Sequence, residues 1–249
     1  METALVATIA FVCAGFIKGV LGFGFPIIAL ILLTLYTGLI DALAMIVVPT
    51  LVTNAWQALS GSHLAAILRR MWLYFACAMG GIYASSWFIA DVDANLLTGV
   101  LGVVLCLFAA SRLLDVHISV PRRREAALSV VLGSANGFLT GFTGSFMVPS
   151  VLYMQALGFG KDMLIQAMGL FFGLSTAMLM VSLGRNGLIT VAELKASTVM
   201  LVPAFVGIYA GRWTRHRIDE PTFQRYFLAG VLLLGAYIVG RSVISGGPA

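Results

Sequence analysis

Two glycine-rich strings interrupt apolar runs of this chain, GVLGFGFP at 19–26 and GFTGSFMVP at 141–149. A helix broken inside a membrane leaves backbone N–H and C=O groups without partners. Such a break persists only where protein buries it or where it lines a wet cavity. The helix that restarts after the break aims free N–H groups and the positive end of its dipole into the interior, which suits an anion. The donors expected from this pattern lie at Gly22, Phe23, Gly24 and Phe25 in the first string, and at Thr143, Gly144, Ser145 and Phe146 in the second. The competing reading makes these glycines close-packing positions or kinks.

Other side chains in apolar runs extend the candidate set. Lys18 stands next to the first break, where it complements an anion, takes part in proton coupling or snorkels to an interface. Asn54 and Gln57 sit about a turn apart on one apolar stretch, with Ser175 and Thr176 at the matching place in the second half of the chain. Such groups bind substrate or hydrogen-bond between helices, and Gln57 leans to the second use. Gln155 and Gln166 are weaker candidates of the same kind.

The elements that carry these residues are membrane helices. Of the 249 residues, 60% are hydrophobic and 10% charged, and the mean hydropathy is +1.01. A soluble domain is nearer half apolar and a quarter charged. Ten apolar stretches can be marked, five on each side of the polar link DVHISVPRRRE at 115–125. The third, fourth and fifth of each half are long enough to cross a bilayer as helices, and the first two are shorter. The opening METALVATIA has no basic region or cleavage site and reads as the first membrane element.

The halves repeat. GFIKGVLGF at 15–23 aligns with GFLTGFTGS at 137–145, an offset of 137 − 15 = 122. GIYASSW at 81–87 aligns with GIYAGRW at 207–213, an offset of 207 − 81 = 126. The expected organisation is therefore an N-terminal repeat at 1–114, a linker at 115–125 and a C-terminal repeat at 126–249. The fold class expected is an all-α membrane bundle of two inverted-topology repeats, each with a broken helix or hairpin plus three full transmembrane helices. The sequence leaves hairpin and single broken helix open. If each opening pair is a hairpin, eleven cations between Arg69 and Arg225 fall on one side, and Arg185, Lys195 and Arg241 on the other. Parallel halves would split them about nine to five, so the positive-inside rule favours inversion with both termini outside. The loop carrying Asp91 and Asp93, set against its counterpart with Arg215 and Arg217, gives the same sense.

Several function classes drop out. The formal net charge of +5 is spread between apolar segments, leaving no basic domain for nucleic acid. Cys13, Cys77 and Cys106 form no disulfide or metal pattern, and neither do His63, His117 and His216. No P-loop, HExxH, GxSxG or paired-carboxylate motif occurs, which argues against an enzyme and against an ATP-driven pump. No cofactor is expected. A coupling ion, H+ or Na+, is left open, although no membrane-embedded carboxylate offers a relay.

At GFIKGVLGFGFP (15–26) and GFLTGFTGSFMVP (137–149) the chain resembles the TauE/SafE family, the sulfite exporter or toluene-sulfonate uptake permease group. The resemblance extends over nearly the whole chain. It implies a multi-pass protein of the bacterial inner membrane that moves sulfite, a sulfonate or a related small anion, with the bilayer as its other partner. A homodimer is compatible with the sequence. Phe23 and Phe25 interrupt the denser glycine run frequent in the family, as Ser145 and Phe146 interrupt the second. A passive anion channel and a membrane subunit of a larger complex are the rival readings.

Overall fold

A computed structural model describes residues 2–85, 87–88, 92–114, 119–217 and 219–245. Asp91, His117, the side chain of His216 and the first part of the 115–125 link lie outside the described residues. Among the described residues the only regular structure is helical. In chain order the helices are α1 (Glu2–Leu21), α2 (Phe25–Thr37), α3 (Leu39–Leu59), α4 (Leu64–Ser85), α5 (Ala94–Leu113), α6 (Glu125–Thr143), α7 (Ser150–Ala156), α8 (Lys161–Arg185), α9 (Val191–Val199), α10 (Leu201–Thr214) and α11 (Glu220–Ser245). Short 3-10 turns precede α6 at Arg122–Arg124 and follow α10 at Arg215–Arg217.

Among the described residues six segments are long and apolar enough to cross a membrane: Leu39–Leu59, Ala94–Leu113, Arg122–Thr143, Lys161–Arg185, Val191–Thr214 and Pro221–Ile244. Two expectations about individual stretches change. The opening stretch of the second half is not short, because the turn at 122–124 runs into α6 as one 22-residue segment. α4 has 22 residues but is not among the six; Arg69 and Arg70 sit in its second turn. The Val191–Thr214 span is interrupted at Met200. Pro203 explains the interruption, since it has no N–H for the Val199 carbonyl and its ring crowds that group.

The chain divides into two compact units that interleave along the sequence. Unit 1 comprises 1–49, 93–115 and 189–249, and unit 2 comprises 50–92 and 116–188. Each unit therefore draws on both halves. α3 passes from one unit to the other directly after its internal proline, Pro49.

Unit 1 is built on the crossing of α1 with α10, with α5 packed on α11 and α2 on α1. Gly15 and Gly19 of α1 meet Gly207 and Gly211 of α10. A methyl group on Gly19 would stand 2.8 Å from the Gly211 Cα, and one on Gly15 would stand 3.1 Å from the Gly207 Cα. Unit 2 is built on the crossing of α4 with α6, with α8 against α4. Here a methyl on Gly81 would stand 3.0 Å from the Gly137 Cα, and Gly141 faces Ser85. The two repeated motifs are thus each other's packing partners. The glycines of GFIKGVLGF meet those of GIYAGRW, and the glycines of GFLTGFTGS meet GIYASSW. Helices in lipid associate through such close approach and not through apolar burial alone.

Trp56, Trp72, Trp87 and Trp213 are all exposed, as side chains facing lipid or its interface would be. The glycines at the crossings give a direct test. Gly81→Ala should lower stability by about 1–3 kcal/mol through overpacking. The neighbouring Gly80 has nothing within 4 Å of a methyl group, so Gly80→Ala should be neutral or raise stability by up to about 1 kcal/mol. Thermal melts of the two variants in detergent would show this contrast, and equal effects would contradict the crossing.

Candidate functional site

Both glycine breaks are chain reversals, which decides between hairpin and single broken helix. In unit 1, α1 closes with the Gly22 N–H donating to the Lys18 carbonyl at 2.8 Å. Gly22 and Gly24 take φ values of 82° and 95°, a left-handed backbone that glycine adopts without cost from a Cβ. The turn brings Gly24 back beside Ile17, and the Phe25 ring to 5.9 Å from the ring of Phe11. α2 therefore returns along α1. Its first turn carries Pro26 and a Gly24 N-cap that offers no side-chain acceptor. Phe25 is fully buried, and Phe23 packs edge-on against Phe227 of α11 at 6.5 Å.

In unit 2 a ladder of side-chain hydrogen bonds marks the reversal. Gly144 ends α6 with φ 66° and donates its N–H to the Thr140 carbonyl at 2.7 Å. Thr143 donates to the Leu139 carbonyl at 2.8 Å and accepts from the Ser145 N–H at 3.2 Å. Thr140 donates to the Ser145 carbonyl at 3.0 Å, and Asn136 to the Val148 carbonyl at 2.6 Å. Ser150 donates to the Phe146 carbonyl. Further along, the Tyr153 hydroxyl donates to the Glu125 carbonyl at 2.9 Å and lies 2.8 Å from the Ser129 hydroxyl. These side chains satisfy the carbonyls that the break exposes, as an apolar surrounding requires. Polar groups of the sequence thus serve the turn before any ligand.

The predicted site residues fall into two sets. Lys18, Gly22, Phe23, Gly24 and Phe25 belong to unit 1; Asn54, Gln57, Thr143, Gly144, Ser145, Phe146 and Ser175 belong to unit 2. Within unit 2 three of the set, Asn54, Phe146 and Ser175, meet on one stretch of α8. The Phe146 ring lies 5.8 Å from that of Phe172. Ser175 follows Phe172 by three residues, on the same helix face. Asn54 of α3 lies against Gly173, where a methyl group would stand 3.8 Å from its Cβ. Asn54, Ser145 and Ser175 are 1%, 2% and 0% exposed. The Ser145 and Ser175 hydroxyl oxygens have no hydrogen-bond partner among the described residues. Neighbouring Thr176 uses its hydroxyl on the Phe172 carbonyl at 2.7 Å.

Gln57 sits differently. Its amide nitrogen donates to the Ile165 carbonyl at 2.7 Å, a tie between α3 and α8. Gln166 is more fully engaged, donating to the Ala58 carbonyl at 2.7 Å and accepting from the His63 N–H at 2.8 Å.

Some residues of the unit 2 framework had no signal in the sequence. Arg70 forms a two-pronged pair with Glu125, at 2.7 and 3.1 Å, and also donates to the Leu157 carbonyl at 3.0 Å. This fork ties α4, α6 and the end of α7 together. Tyr74, fully buried on α4, stacks on Tyr153 with ring centroids 5.1 Å apart. Pairs between residues this far apart in sequence have no spacing rule.

Residues 7–238 match the family described as Sulfite exporter TauE/SafE. The chain belongs to this family. No curated protein and no solved structure matches it. As a TauE/SafE protein it is a multi-pass membrane transporter of the sulfite or anion exporter type, not an enzyme, and it works without a cofactor. Its substrate is a small anion and its surroundings are lipid.

The hydrogen bonds of Gln166 separate packing from binding in this TauE/SafE chain. Gln166→Ala removes both and should lower stability by about 2 kcal/mol, while leaving anion affinity unchanged. Thermal melting together with anion titration would check both halves of that expectation.

Proposed function

We propose that this TauE/SafE protein is a secondary carrier that moves sulfite or an organosulfonate by alternating access. We assign anion binding in unit 2 to the hairpin turn Thr143–Gly144–Ser145–Phe146 with Asn54 and Ser175. The observation that carries the reading is the pair of buried, unpartnered hydroxyls on Ser145 and Ser175. A buried hydroxyl without a partner loses its hydration at a cost of about 1–3 kcal/mol. An oxyanion that accepts from it restores the bond. Neutral donors suit a transported anion, because they leave no permanent charge in a low-dielectric site once the ligand departs. The Phe146 and Phe172 rings exclude water from the same place. Thr143 and Gly144 fix the turn, and Gly22 with Gly24 does the same for the first hairpin.

The repeat pattern and the charge count support an inverted arrangement in a bacterial inner membrane, with both termini outside. A passive anion channel is the second reading, and one observation favours it. The buried polar residues among those described include no carboxylate, so a proton or sodium relay has no obvious seat.

Sulfite flux into proteoliposomes tests both readings. A carrier gives saturable uptake that is accelerated by sulfite on the far side; a channel gives neither. Ser145→Ala and Ser175→Ala should each weaken the anion by roughly tenfold, the worth of one hydrogen bond to a charged group. Gly144→Val should abolish transport in a protein that still folds, since a β-branched residue resists the left-handed conformation of that turn. Wild-type flux in all three variants would remove the assigned turn from the mechanism.

A further inference from the structure

The ends of two membrane spans carry the same pairing of an aromatic ring with an arginine. In unit 2, Arg185 closes the span Lys161–Arg185, at the depth where hydrocarbon gives way to headgroups. Its guanidinium carbon lies 3.6 Å over the Trp87 ring and 5.2 Å over the Tyr83 ring. Those two rings stand at 89° to each other. One guanidinium N–H donates to the Tyr83 hydroxyl at 2.8 Å. The cation is thus seated in an aromatic corner, although Arg185 and Trp87 are both exposed. The repeat supplies a second copy. Trp213 aligns with Trp87, since 87 + 126 = 213, and it is exposed near the end of the span Val191–Thr214. The Arg217 guanidinium lies 4.0 Å over its ring.

Neither arginine meets a carboxylate: the one salt bridge among the described residues joins Arg70 to Glu125. A ring covers the face of a guanidinium and leaves its N–H edge for other partners. That edge takes two oxygens of a phosphate at once. The rings of the corner have already fixed the long side chain, so a ligand does not have to order it. An apolar strip lies in the same unit. Phe88, exposed directly after Trp87, tilts over Phe138 with centroids 6.4 Å apart, and Phe138 meets Phe142 edge-on at 5.1 Å. A phosphate that carries acyl chains uses both the corner and the strip, whereas a free anion uses the corner alone. We infer that Arg185, Trp87 and Tyr83 bind the phosphate of an anionic phospholipid, and that Trp213 with Arg217 is the counterpart in unit 1. An anionic headgroup suits the corner better than a zwitterionic one, whose own cation would face the guanidinium. The corner uses none of the residues assigned to the transported anion, and it stands or falls separately from them.

Calorimetric titration of the delipidated full-length protein in detergent tests the corner, with short-chain phosphatidylglycerol in one arm and sulfate in the other. Wild type should hold one lipid at each arginine. Arg185→Gln should lose one of them, and the double variant with Arg217→Gln should bind the lipid at least about tenfold more weakly, the worth of a hydrogen bond to a charged group. Sulfate binding should be unchanged in both. Lys195→Gln, an exposed cation on α9 with no stacked ring, should keep both lipids. Both lipids retained in Arg185→Gln, from protein that melts and elutes as wild type, would overturn the corner. So would an equal loss in Lys195→Gln, which would reduce the effect to net charge. A sulfate loss as large as the lipid loss would make this a soluble-anion site and overturn the headgroup. Should Arg185→Gln not fold, Trp87→Ala takes its place: it keeps the charge and removes the platform, and a lipid held there as in wild type would overturn the corner.

Discussion

Apolar side chains gain nothing by leaving a lipid solvent for a protein interior, so a membrane bundle is held by how closely its backbones approach. In this chain glycine makes that approach at the crossings of α1 with α10, α4 with α6 and α5 with α11. The crossings fix what surrounds them. They set the end of α1, and so the first hairpin turn; they set α6, and so the ladder of hydroxyl and amide bonds on which the second turn is built. A residue one methyl larger at any of these points moves a helix, and with it the turn that helix carries.

The two turns come from one repeated motif yet differ in chemistry. Position 18 of the first motif aligns with position 140 of the second, since 18 + 122 = 140. In the second turn Thr140 closes the reversal by binding the Ser145 carbonyl, and the groups left over are neutral hydroxyls. In the first turn the aligned residue is Lys18, which places a cation where the other turn has an internal hydrogen bond. The two aligned strings thus hold one polar turn and one charged turn.

Much of this was readable from residue types. The lipid setting followed from composition, and the breaks followed from glycine and proline at 19–26 and 141–149. Both repeats were visible as offsets. Their pairing was not, because matching strings report common ancestry and carry no information on which helix lies against which. GIYAGRW looked like the equivalent of GIYASSW, and it is in fact the surface on which GFIKGVLGF packs. In the site proposed for unit 2, Asn54, Ser145 and Ser175 were legible as polar residues in apolar runs. Gln57 already leaned towards helix packing, and its bond to the Ile165 carbonyl ties its amide nitrogen between two helices. Arg70 and Glu125 were invisible as a pair because 55 residues separate them.

The interleaving of the units gives the chain a definite order of assembly. Gly81 and Gly137, the centre of the α4–α6 crossing, are 137 − 81 = 56 residues apart. Gly15 and Gly207, on the α1–α10 crossing, are 207 − 15 = 192 residues apart. At ribosomal speeds of 5–20 residues per second, α1 waits roughly 10–40 s in the bilayer before its partner is synthesised. Throughout that interval its glycine face and Lys18 lie against lipid or the insertion machinery. α1 is therefore made well before the helix it packs on, and a ribosome that stalls before α10 leaves a finished α4–α6 crossing and an α1 without its α10 partner.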